Sequence, residues 1–508
     1  MKRTPSLKIT SRFFPLPSAW SDLAAFVAGL LLPLAFAPFN LFPLAVLAPA
    51  LLFITWLDAS PGRAALRGFL FGLAMFGLGV SWVYVSMHHF GNMAAPLAAF
   101  VTLLFVTGLS IYPALLGWSQ RRFFPNRGTL HFVLALPSLW VLFEWLRGWL
   151  LTGFPWLDLG YSQVAALLAG YASWLGVYGV SFFCAVSAGL LAWGTQEPRK
   201  FVLIGVPLFF AIWIGGWIAG RADWVHAAGH PLQVTLIQGN IPIADKWRPE
   251  KREAIVNRYL TLSMEAGKSD LIVWPESAVP VYLDEIDQKF FDNLRRINQQ
   301  KPTDILFGVA EHDKKLRRYY NSVVSVGAQS GVYRKRHLVP FGEYPPLEPL
   351  FSWLMKNFQI PMSNFSSGAR SQAPLIAAGQ KIGVSVCYED AFGNEIIDAL
   401  PEATLLVNVS EDAWFGNSFA PHQRIQMARM RAMESGRPML RAANTGPSVV
   451  LNHRGQTVAI TPAFQVYSLT TFVQPMQGAT PYVRFGNYPV IILSLIGVAV
   501  GIAYALRR

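Results

Sequence analysis

The stretch Ile382-Gly383-Val384-Ser385-Val386-Cys387-Tyr388-Glu389 places a thiol at the end of an apolar, β-branched run. Such a run is typical of a strand buried in a sheet that helices cover. Cys387 is one of only two cysteines in 508 residues, and the other, Cys184, lies in an apolar segment that we expect to span a membrane. Cys387 is therefore either a nucleophile at a strand end or a buried core cysteine that acts as a small hydrophobe. The local sequence alone leaves both interpretations open.

The composition is that of an integral membrane protein with a soluble part. Hydrophobic residues make up 53% of the chain and charged residues 14%, whereas an ordinary globular domain is about 25% charged. The net charge is +13, but the basic residues form no stripe with a nucleic-acid-reading motif. Many lie in short loops between apolar segments, which indicates membrane topology.

Eight apolar segments approach the roughly 20 residues that are needed to cross a bilayer. They lie near residues 20–36, 41–57, 66–87, 95–118, 131–150, 171–193, 201–219 and 487–505. The interval between the last two carries most of the Asp, Glu and Lys. We therefore expect an N-terminal membrane domain of about seven transmembrane helices over 1–219, a soluble domain over 220–484, and a C-terminal transmembrane helix within 485–508.

The positions of Lys and Arg orient these segments. Basic residues precede the first span, follow the second, fourth and sixth spans, and end the chain, whereas residues 37–40, 87–93 and 151–170 contain none. The positive-inside rule then places both termini in the cytoplasm and the soluble domain outside, in the periplasm of a bacterium. Pro38 directly follows the signal-like Ala35-Phe36-Ala37, which predicts an uncleaved first span.

The soluble domain alternates predicted strands with predicted helices, and this pattern indicates a mixed sheet covered by helices. Polar residues follow three of the strands: Glu276 after 271–274, Lys335 after 331–334, and Cys387. Sites in such sheets form beyond the strand ends. Glu276 alone could close a turn, and Lys335 alone could belong to a solvated basic loop. Their joint occurrence with one outside cysteine favours a nucleophile, a base and an oxyanion-stabilising cation.

Three motifs that contain these residues resemble the nitrilase, or carbon–nitrogen hydrolase, superfamily. The motifs are Trp274-Pro275-Glu276-Ser277, residues 335–343 (KRHLVPFGE) and Cys387-Tyr388-Glu389, and residues 412–416 and 426–432 strengthen the match. The resemblance implies an αββα domain inserted into a polytopic α-helical membrane protein. With residues 82–86 and 152–156, essentially the whole chain resembles the apolipoprotein N-acyltransferase family.

The resemblance implies a ping-pong acyltransferase, and we expect no cofactor. Cys387 would attack the sn-1 ester of a phospholipid, preferably phosphatidylethanolamine, to give a thioester. The α-amine of the diacylglyceryl-cysteine of an apolipoprotein would then take the acyl chain, in the last step of lipoprotein maturation. This reaction implies a multi-pass enzyme of the bacterial inner membrane, with lipid and apolipoprotein as partners and no nucleic acid, and we expect a monomer.

The resemblance also implies residue roles. Glu276 is the general base, Lys335 stabilises the oxyanion and Cys387 is the nucleophile. The supporting residues are Glu343, Tyr388, Glu389 and Trp247. Glu411 stands where the family often has Asn, so an asparagine's role does not transfer to that position.

An apolar segment between Glu343 and Arg370 contains Trp353, Met355, Phe358 and Met362. It is either a loop packed on the core of its own domain or a lid that touches the membrane and admits acyl chains. If it is a lid, replacing Trp353 and Phe358 by Ser weakens the use of phospholipid and spares folding. Unchanged activity on lipid vesicles would contradict the lid.

A membrane-tethered amidase or nitrilase, in which water resolves the thioester, remains an alternative that the three residues do not exclude. A transporter with an accessory domain is disfavoured, because the spans show no internal repeat and few charges. His88-His89 has no further ligand at metal-binding spacing, so we expect no metal site. We also expect no nucleotide, because no phosphate-binding glycine-rich loop is present.

Overall fold

The computed structural model describes residues 18–124, 128–300, 302–344 and 364–507. Before residue 220 the described chain is helical. These helices are α1 (Ser18–Leu31), α2 (Leu44–Thr55), α3 (Pro61–Gly79), α4 (Trp82–Val85), α5 (Ala95–Phe123), α6 (Leu136–Arg147), α7 (Ala172–Gly194), α8 (Pro198–Lys200) and α9 (Val206–Ala219). The later helices are α10 (Ile243–Lys246), α11 (Arg252–Glu265), α12 (Gln288–Gln300), α13 (Gly393–Ile396), α14 (Ala420–Ser435), α15 (Pro481–Phe485) and α16 (Tyr488–Leu506).

Within these described ranges, five helical segments are long and apolar enough to cross a membrane. They are Ser18–Ala35, Ala95–Phe123, Leu167–Gly194, Pro198–Ala219 and Tyr488–Leu506. A sixth would be the pair Pro61–Gly79 and Trp82–Phe90, which is bent by 49°. Several helices that could cross a membrane are therefore present, which fits a membrane protein, and the predicted number of eight is not confirmed.

Two of the predicted spans, near 41–57 and 131–150, do not form a helix long and apolar enough to cross a membrane. Helix α2 has only 12 residues and contains Pro49. Helix α6 also has 12 residues and carries the buried pair of charged residues Glu144 and Arg147. Arg147 pairs with Asp158 at 2.5 Å, which ties this helix to the turn that follows it.

Helices α3 and α5 pack closely because small residues of α3 face α5. A Cβ atom on Gly68 would lie 2.1 Å from the carbonyl oxygen of Pro113, and one on Gly72 would lie 2.8 Å from the Cα of Ser110. Glycine at both positions lets the backbones approach, as in other membrane helix pairs.

The soluble domain contains two large sheets. The strands are β1 (Val225–Ala227), β2 (Leu232–Gln238), β3 (Leu271–Val273), β4 (Val279–Tyr282), β5 (Asp304–Asp313), β6 (Arg318–Val326), β7 (Gly331–Arg334), β8 (Leu375–Ala377), β9 (Gln380–Val386), β10 (Leu405–Ser410), β11 (Met439–Ala443), β12 (Val449–Leu451), β13 (Thr457–Ile460), β14 (Tyr467–Val473) and β15 (Met476–Gly478). One sheet has the order β14-β2-β3-β5-β6-β7, with β4 also paired to β5, and the other has the order β13-β12-β11-β10-β9-β8.

The single mixed sheet inferred from the strand pattern is therefore wrong, and the αββα arrangement implied by the resemblance is confirmed. The inner faces pack on each other through apolar side chains, among them Val234 and Leu306 from one sheet and Val407 and Leu440 from the other. Alternation of apolar residues marks a strand as buried but does not assign it to a sheet.

Helices cover both outer faces. On the seven-stranded sheet, Tyr259 of α11 stacks on Trp274 with ring centroids 5.2 Å apart, and Leu294 of α12 belongs to the same cluster. On the six-stranded sheet lies α14, which has Pro421 in its first turn and ends at Gly436 with φ +63°. Proline and a left-handed glycine are favoured at these two ends of a helix.

Helix α14 also contacts the membrane helices along its whole length. Its hydrogen bonds to the membrane part, two to helices and two to turns, join Gln423 Nε2 to Gly79 O, Gln426 Oε1 to Ala37 N, Arg429 Nη2 to Val164 O, and Glu434 Oε1 to Val177 N. The helix is polar although both of its faces are covered, so its buried polar groups need hydrogen-bond partners. The soluble domain thus rests on the membrane part through α14.

Candidate active site

The three strand-end residues converge where the two sheets meet. Glu276 follows β3, Lys335 follows β7 and Cys387 follows β9. Lys335 Nζ lies 3.9 Å from Glu276 Oε1 and 2.8 Å from Glu343 Oε1. The thiol of Cys387 interacts electrostatically with both Glu276 and Lys335. The structure therefore brings together the trio that the sequence predicts, with Glu343 beside it.

Cys387 occupies a sharp turn between β9 and a short helical segment, Cys387–Ala391. Its φ is +50°, in the left-handed region that a residue with a side chain rarely adopts. The strained backbone is held by two hydrogen bonds to the Cys387 carbonyl, from Asn408 Nδ2 at 3.2 Å and from Arg424 Nη2 at 2.5 Å. Such over-determined strain is typical of functional positions.

The environment of the thiol keeps its proton in place. Burial, reinforced by the carboxylate of Glu276, raises the pKa of Cys387 to about 11, although Arg424 and Lys335 oppose this rise. The thiolate is the nucleophilic form. At neutral pH the reaction therefore needs a base to take the thiol proton, and Glu276 is the carboxylate placed to do so.

Lys335 is a fixed cation. Burial alone would lower the pKa of its ammonium group, but Glu343 and Glu276 outweigh burial and raise that pKa above its ordinary value. Asn321 Nδ2 donates to Glu276 Oε1 at 2.7 Å and to Glu343 Oε1 at 3.1 Å, which fixes both carboxylates. Lys335 therefore stays charged and aimed into the site.

Glu389 connects two parts of the site. Its carboxylate accepts hydrogen bonds from the backbone N–H of Val386 at 2.6 Å, of Arg336 at 2.8 Å and of His337 at 3.1 Å. Tyr333 Oη also donates to it. Glu389 thus joins the loop that carries Lys335 to the turn that carries Cys387.

Tyr388 reaches the membrane part. Its Oη donates to Gly153 O at 2.8 Å, and its ring stacks near Trp156 with centroids 6.1 Å apart. Gly153 has φ +87°, and a Cβ there would lie 2.2 Å from Gly148 O. The residue after the nucleophile is therefore anchored to a turn of the membrane domain.

The remaining predicted site residues lie elsewhere. Trp247 is half-buried at the end of α10. Its neighbour Lys246 donates a hydrogen bond from Nζ to the backbone carbonyl of Glu276. Trp353, Met355, Phe358 and Met362 lie outside the described residues. Within the described ranges, no group of three or more His, Cys, Asp or Glu side chains is arranged to hold a metal ion.

The sequence reasoning missed a buried charged cluster behind the thiol. Arg424 and Arg441 pair with Asp390 and Asp412, and all four side chains are at most 1% exposed. Arg424 Nη1 lies 3.2 Å from Cys387 Sγ. Arg424 lies two positions before the motif at 426–432 and is not part of it. The only signal in the sequence was therefore the polar character of the segment that forms α14.

A second missed contact explains the unusual Glu411. Lys246 Nζ, which is almost fully buried, forms an ion pair with Glu411 and donates to Glu276 O at 3.0 Å. Asn444 Nδ2 donates to Glu411 Oε1 at 3.0 Å. The backbone N–H of Glu411, rather than its side chain, donates to Glu276 Oε2 at 2.8 Å. The hydrogen bond from the backbone N–H of residue 411 to the Glu276 carboxylate therefore does not depend on which side chain stands at that position.

Lys246→Met is expected to destabilise the protein by about 3–5 kcal/mol, because it leaves the Glu411 carboxylate buried without its cation. The double variant Lys246→Met, Glu411→Gln should recover most of that loss, since the amide carries no charge. Thermal unfolding of the purified protein in detergent measures both. Equal stability of Lys246→Met and the unmodified protein would contradict the pairing.

Comparisons with known proteins place both halves of the chain. The model of the carbon–nitrogen hydrolase family matches residues 233–473, and that of the apolipoprotein N-acyltransferase N-terminal domain matches residues 28–190. The proteins named apolipoprotein N-acyltransferase from Methylococcus capsulatus and Nitrosomonas europaea are 46% and 44% identical, over 96% and 94% of this chain and 96% and 95% of theirs. The protein of that name from Vibrio cholerae is 38% identical over 96% of this chain and 97% of its own.

The two sheets, the helices that cover them and the Glu–Lys–Cys arrangement define a carbon–nitrogen hydrolase domain. The relatives match the membrane helices and this domain together. The chain belongs to the apolipoprotein N-acyltransferase family.

Proposed function

We propose that this protein transfers an acyl chain from the sn-1 position of phosphatidylethanolamine to the α-amine of the diacylglyceryl-cysteine of an apolipoprotein. This transfer is the last step of lipoprotein maturation. The observation that carries the proposal is the thiol of Cys387, which lies beside Glu276 and Lys335 and directly before a residue anchored to the membrane part. A full-length match to relatives of that name supports it.

In the first half-reaction, Glu276 takes the proton from Cys387 Sγ, and the sulfur attacks the ester carbonyl carbon. Lys335 and the backbone N–H of Tyr388 stabilise the oxyanion. The C–O bond to the glycerol then breaks, and the proton passes from Glu276 to the leaving oxygen. The products are the thioester and a lysophospholipid.

In the second half-reaction, the α-amine of the acceptor attacks the thioester carbonyl. Glu276 takes a proton from the attacking nitrogen, the C–S bond breaks, and the sulfur leaves as thiolate and is reprotonated. An amide forms and the enzyme returns to its starting state. Glu343 and Glu389 take no proton in this scheme, because their hydrogen bonds hold Lys335 and the loop that carries it.

The same proposal includes a location. In this proposal eight spans lie in the membrane parts 1–219 and 485–508, and both termini are cytoplasmic. The domain over 220–484 is periplasmic, so the site lies at the outer face of the inner membrane. The protein acts as a monomer. The distribution of Lys and Arg supports this orientation. Protease added to spheroplasts should cleave within 220–484 and leave both terminal tags intact. Cleavage of the tags alone would reverse the orientation.

The proposed transfer is tested with phosphatidylethanolamine labelled at the sn-1 chain and a synthetic diacylglyceryl lipopeptide. We expect the label on the lipopeptide amine. A matched lipopeptide with an acetylated α-amine should accept none. Release of the label only as free fatty acid would instead support the hydrolase, in which water resolves the thioester.

A further inference from the structure

We infer that Arg424 is a catalytic residue that holds the negative charge of the Cys387 sulfur in both half-reactions. The inference deepens the proposed function and rests on it only in taking Cys387 as the nucleophile. It assigns the sulfur a cation of its own, distinct from Lys335.

The contacts of Arg424 aim one side of its guanidinium at the nucleophile. Nη1 lies 3.2 Å from Cys387 Sγ and donates to Ser410 Oγ at 2.8 Å, while Nη2 donates to the Cys387 carbonyl. Asp390 accepts from Nη2 at 2.9 Å. The planar guanidinium cannot turn without breaking several of these hydrogen bonds, so its position relative to the sulfur is fixed.

Arg424 belongs to a buried charged cluster that lies beside the sulfur. Its guanidinium lies 3.6 Å from Asp412, and Arg441 shares Asp412 at 2.8 Å and approaches Asp390 to 3.8 Å. Two arginines and two aspartates thus balance within the buried cluster. Lys335, by contrast, faces Glu343 and Glu276. The two cations therefore contact different groups: Arg424 contacts the sulfur, and Lys335 contacts the carboxylates of Glu276 and Glu343.

The contact between Arg424 and the sulfur matters at two points of the reaction. When Glu276 removes the thiol proton, Arg424 N–H stabilises the thiolate that remains. When the acceptor amine later displaces the thioester, the same N–H stabilises the departing thiolate before it is reprotonated. Among the groups that lower the pKa of the Cys387 thiol, Arg424 acts more strongly than Lys335.

The test is the pH dependence of Cys387 alkylation by iodoacetamide, followed by intact mass on the full-length protein in detergent. A Cys184→Ala background leaves one thiol, and no lipid is present, so the result does not depend on acyl transfer. Arg424→Met should slow alkylation at least about tenfold at a given pH below the thiol pKa, because each unit of pKa lowers the thiolate fraction tenfold. Arg424→Lys should lose less.

Arg429→Met is the matched control, because Arg429 lies on the same helix and contacts Gly455 O and Val164 O instead of the thiol. Its alkylation profile should equal that of the unmodified background. If Arg424→Met does not fold, the double variant Arg424→Gln, Asp390→Asn removes both charges and keeps amide donors, and it should show the same slowing. An unchanged profile in the folded Arg424 variants, or equal slowing in Arg429→Met, would overturn the inference.

Discussion

Cys387→Ala is expected to abolish acyl transfer, with no label on the lipopeptide and none on the enzyme. The alanine has no atom that can form the thioester, and the structure offers no second thiol nearby. The other cysteine, Cys184, is buried between membrane helices, where its Sγ contacts Ala45 O at 3.3 Å. The measurement is the transfer of a labelled sn-1 chain in detergent or vesicles.

Cys184→Ala is the control for that experiment, and it should keep full transfer because the lost sulfur hydrogen-bonds to Ala45 O and not to the trio. Folding of the Cys387→Ala protein is checked by thermal unfolding. Labelled product from folded Cys387→Ala would show that a different residue carries the acyl chain.

Glu276→Gln is expected to lower the rate of enzyme acylation by about 10²–10⁴-fold at neutral pH, the range associated with loss of a general base. The thiol pKa of about 11 means that almost no thiolate exists at pH 7 unless a base removes the proton. Loss of the Glu276 charge lowers that pKa, but burial, which is the larger cause of the rise, remains. The residual rate should therefore rise with pH, about tenfold per unit below the thiol pKa.

The pH profile separates a base from a merely structural carboxylate. Single-turnover acylation is followed from pH 6 to pH 10 in the unmodified and Glu276→Gln proteins. Glu311→Gln serves as the control, since Glu311 pairs with Arg334 on the strand before Lys335 and does not contact the trio. A Glu276→Gln rate that falls equally at every pH would contradict the role of the carboxylate as the base.

The sequence was sufficient for the elements of the site but not for its supporting contacts. Glu276 and Cys387 follow strands with a clear apolar pattern, and Lys335 follows the short strand Gly331–Arg334, so a role for each could be proposed once the motifs were recognised. Arg424 and Lys246 could not, because each reaches the site only through the packing of α14 and α10 against strands distant in the chain. A basic residue on a helix is, from sequence, indistinguishable from one on a solvated face.

In the fold, too, local elements could be predicted from the sequence and long-range packing could not. The strands predicted at 271–274, at 331–334 and before Cys387 are present as β3, β7 and β9, and buried β-branched runs are a strong local signal of this kind. Strand β14 was missed although it pairs with β2 over seven residues, because most of its side chains are exposed or half-buried. The two-sheet arrangement depends on which apolar faces meet, and that information lies in long-range packing.

The contact between the two parts of the chain gives the site its setting. Tyr388 is held by Gly153, and α14 rests on membrane helices from Gln423 to Glu434. A nucleophile fixed against a membrane turn is suited to a substrate whose acyl chains remain in the bilayer. This arrangement is what distinguishes the proposed transferase from a soluble hydrolase with the same three residues.

The proposed transfer passes through an acyl chain held on Cys387 and handed to an amine. Mass spectrometry of the enzyme after incubation with phosphatidylethanolamine alone detects this thioester. We predict an acyl mass on the peptide that contains Cys387, which disappears when the lipopeptide is added as the acylated lipopeptide forms. An unmodified Cys387 peptide after incubation with phosphatidylethanolamine alone, in a preparation that does acylate the lipopeptide once it is added, would rule out the thioester on Cys387.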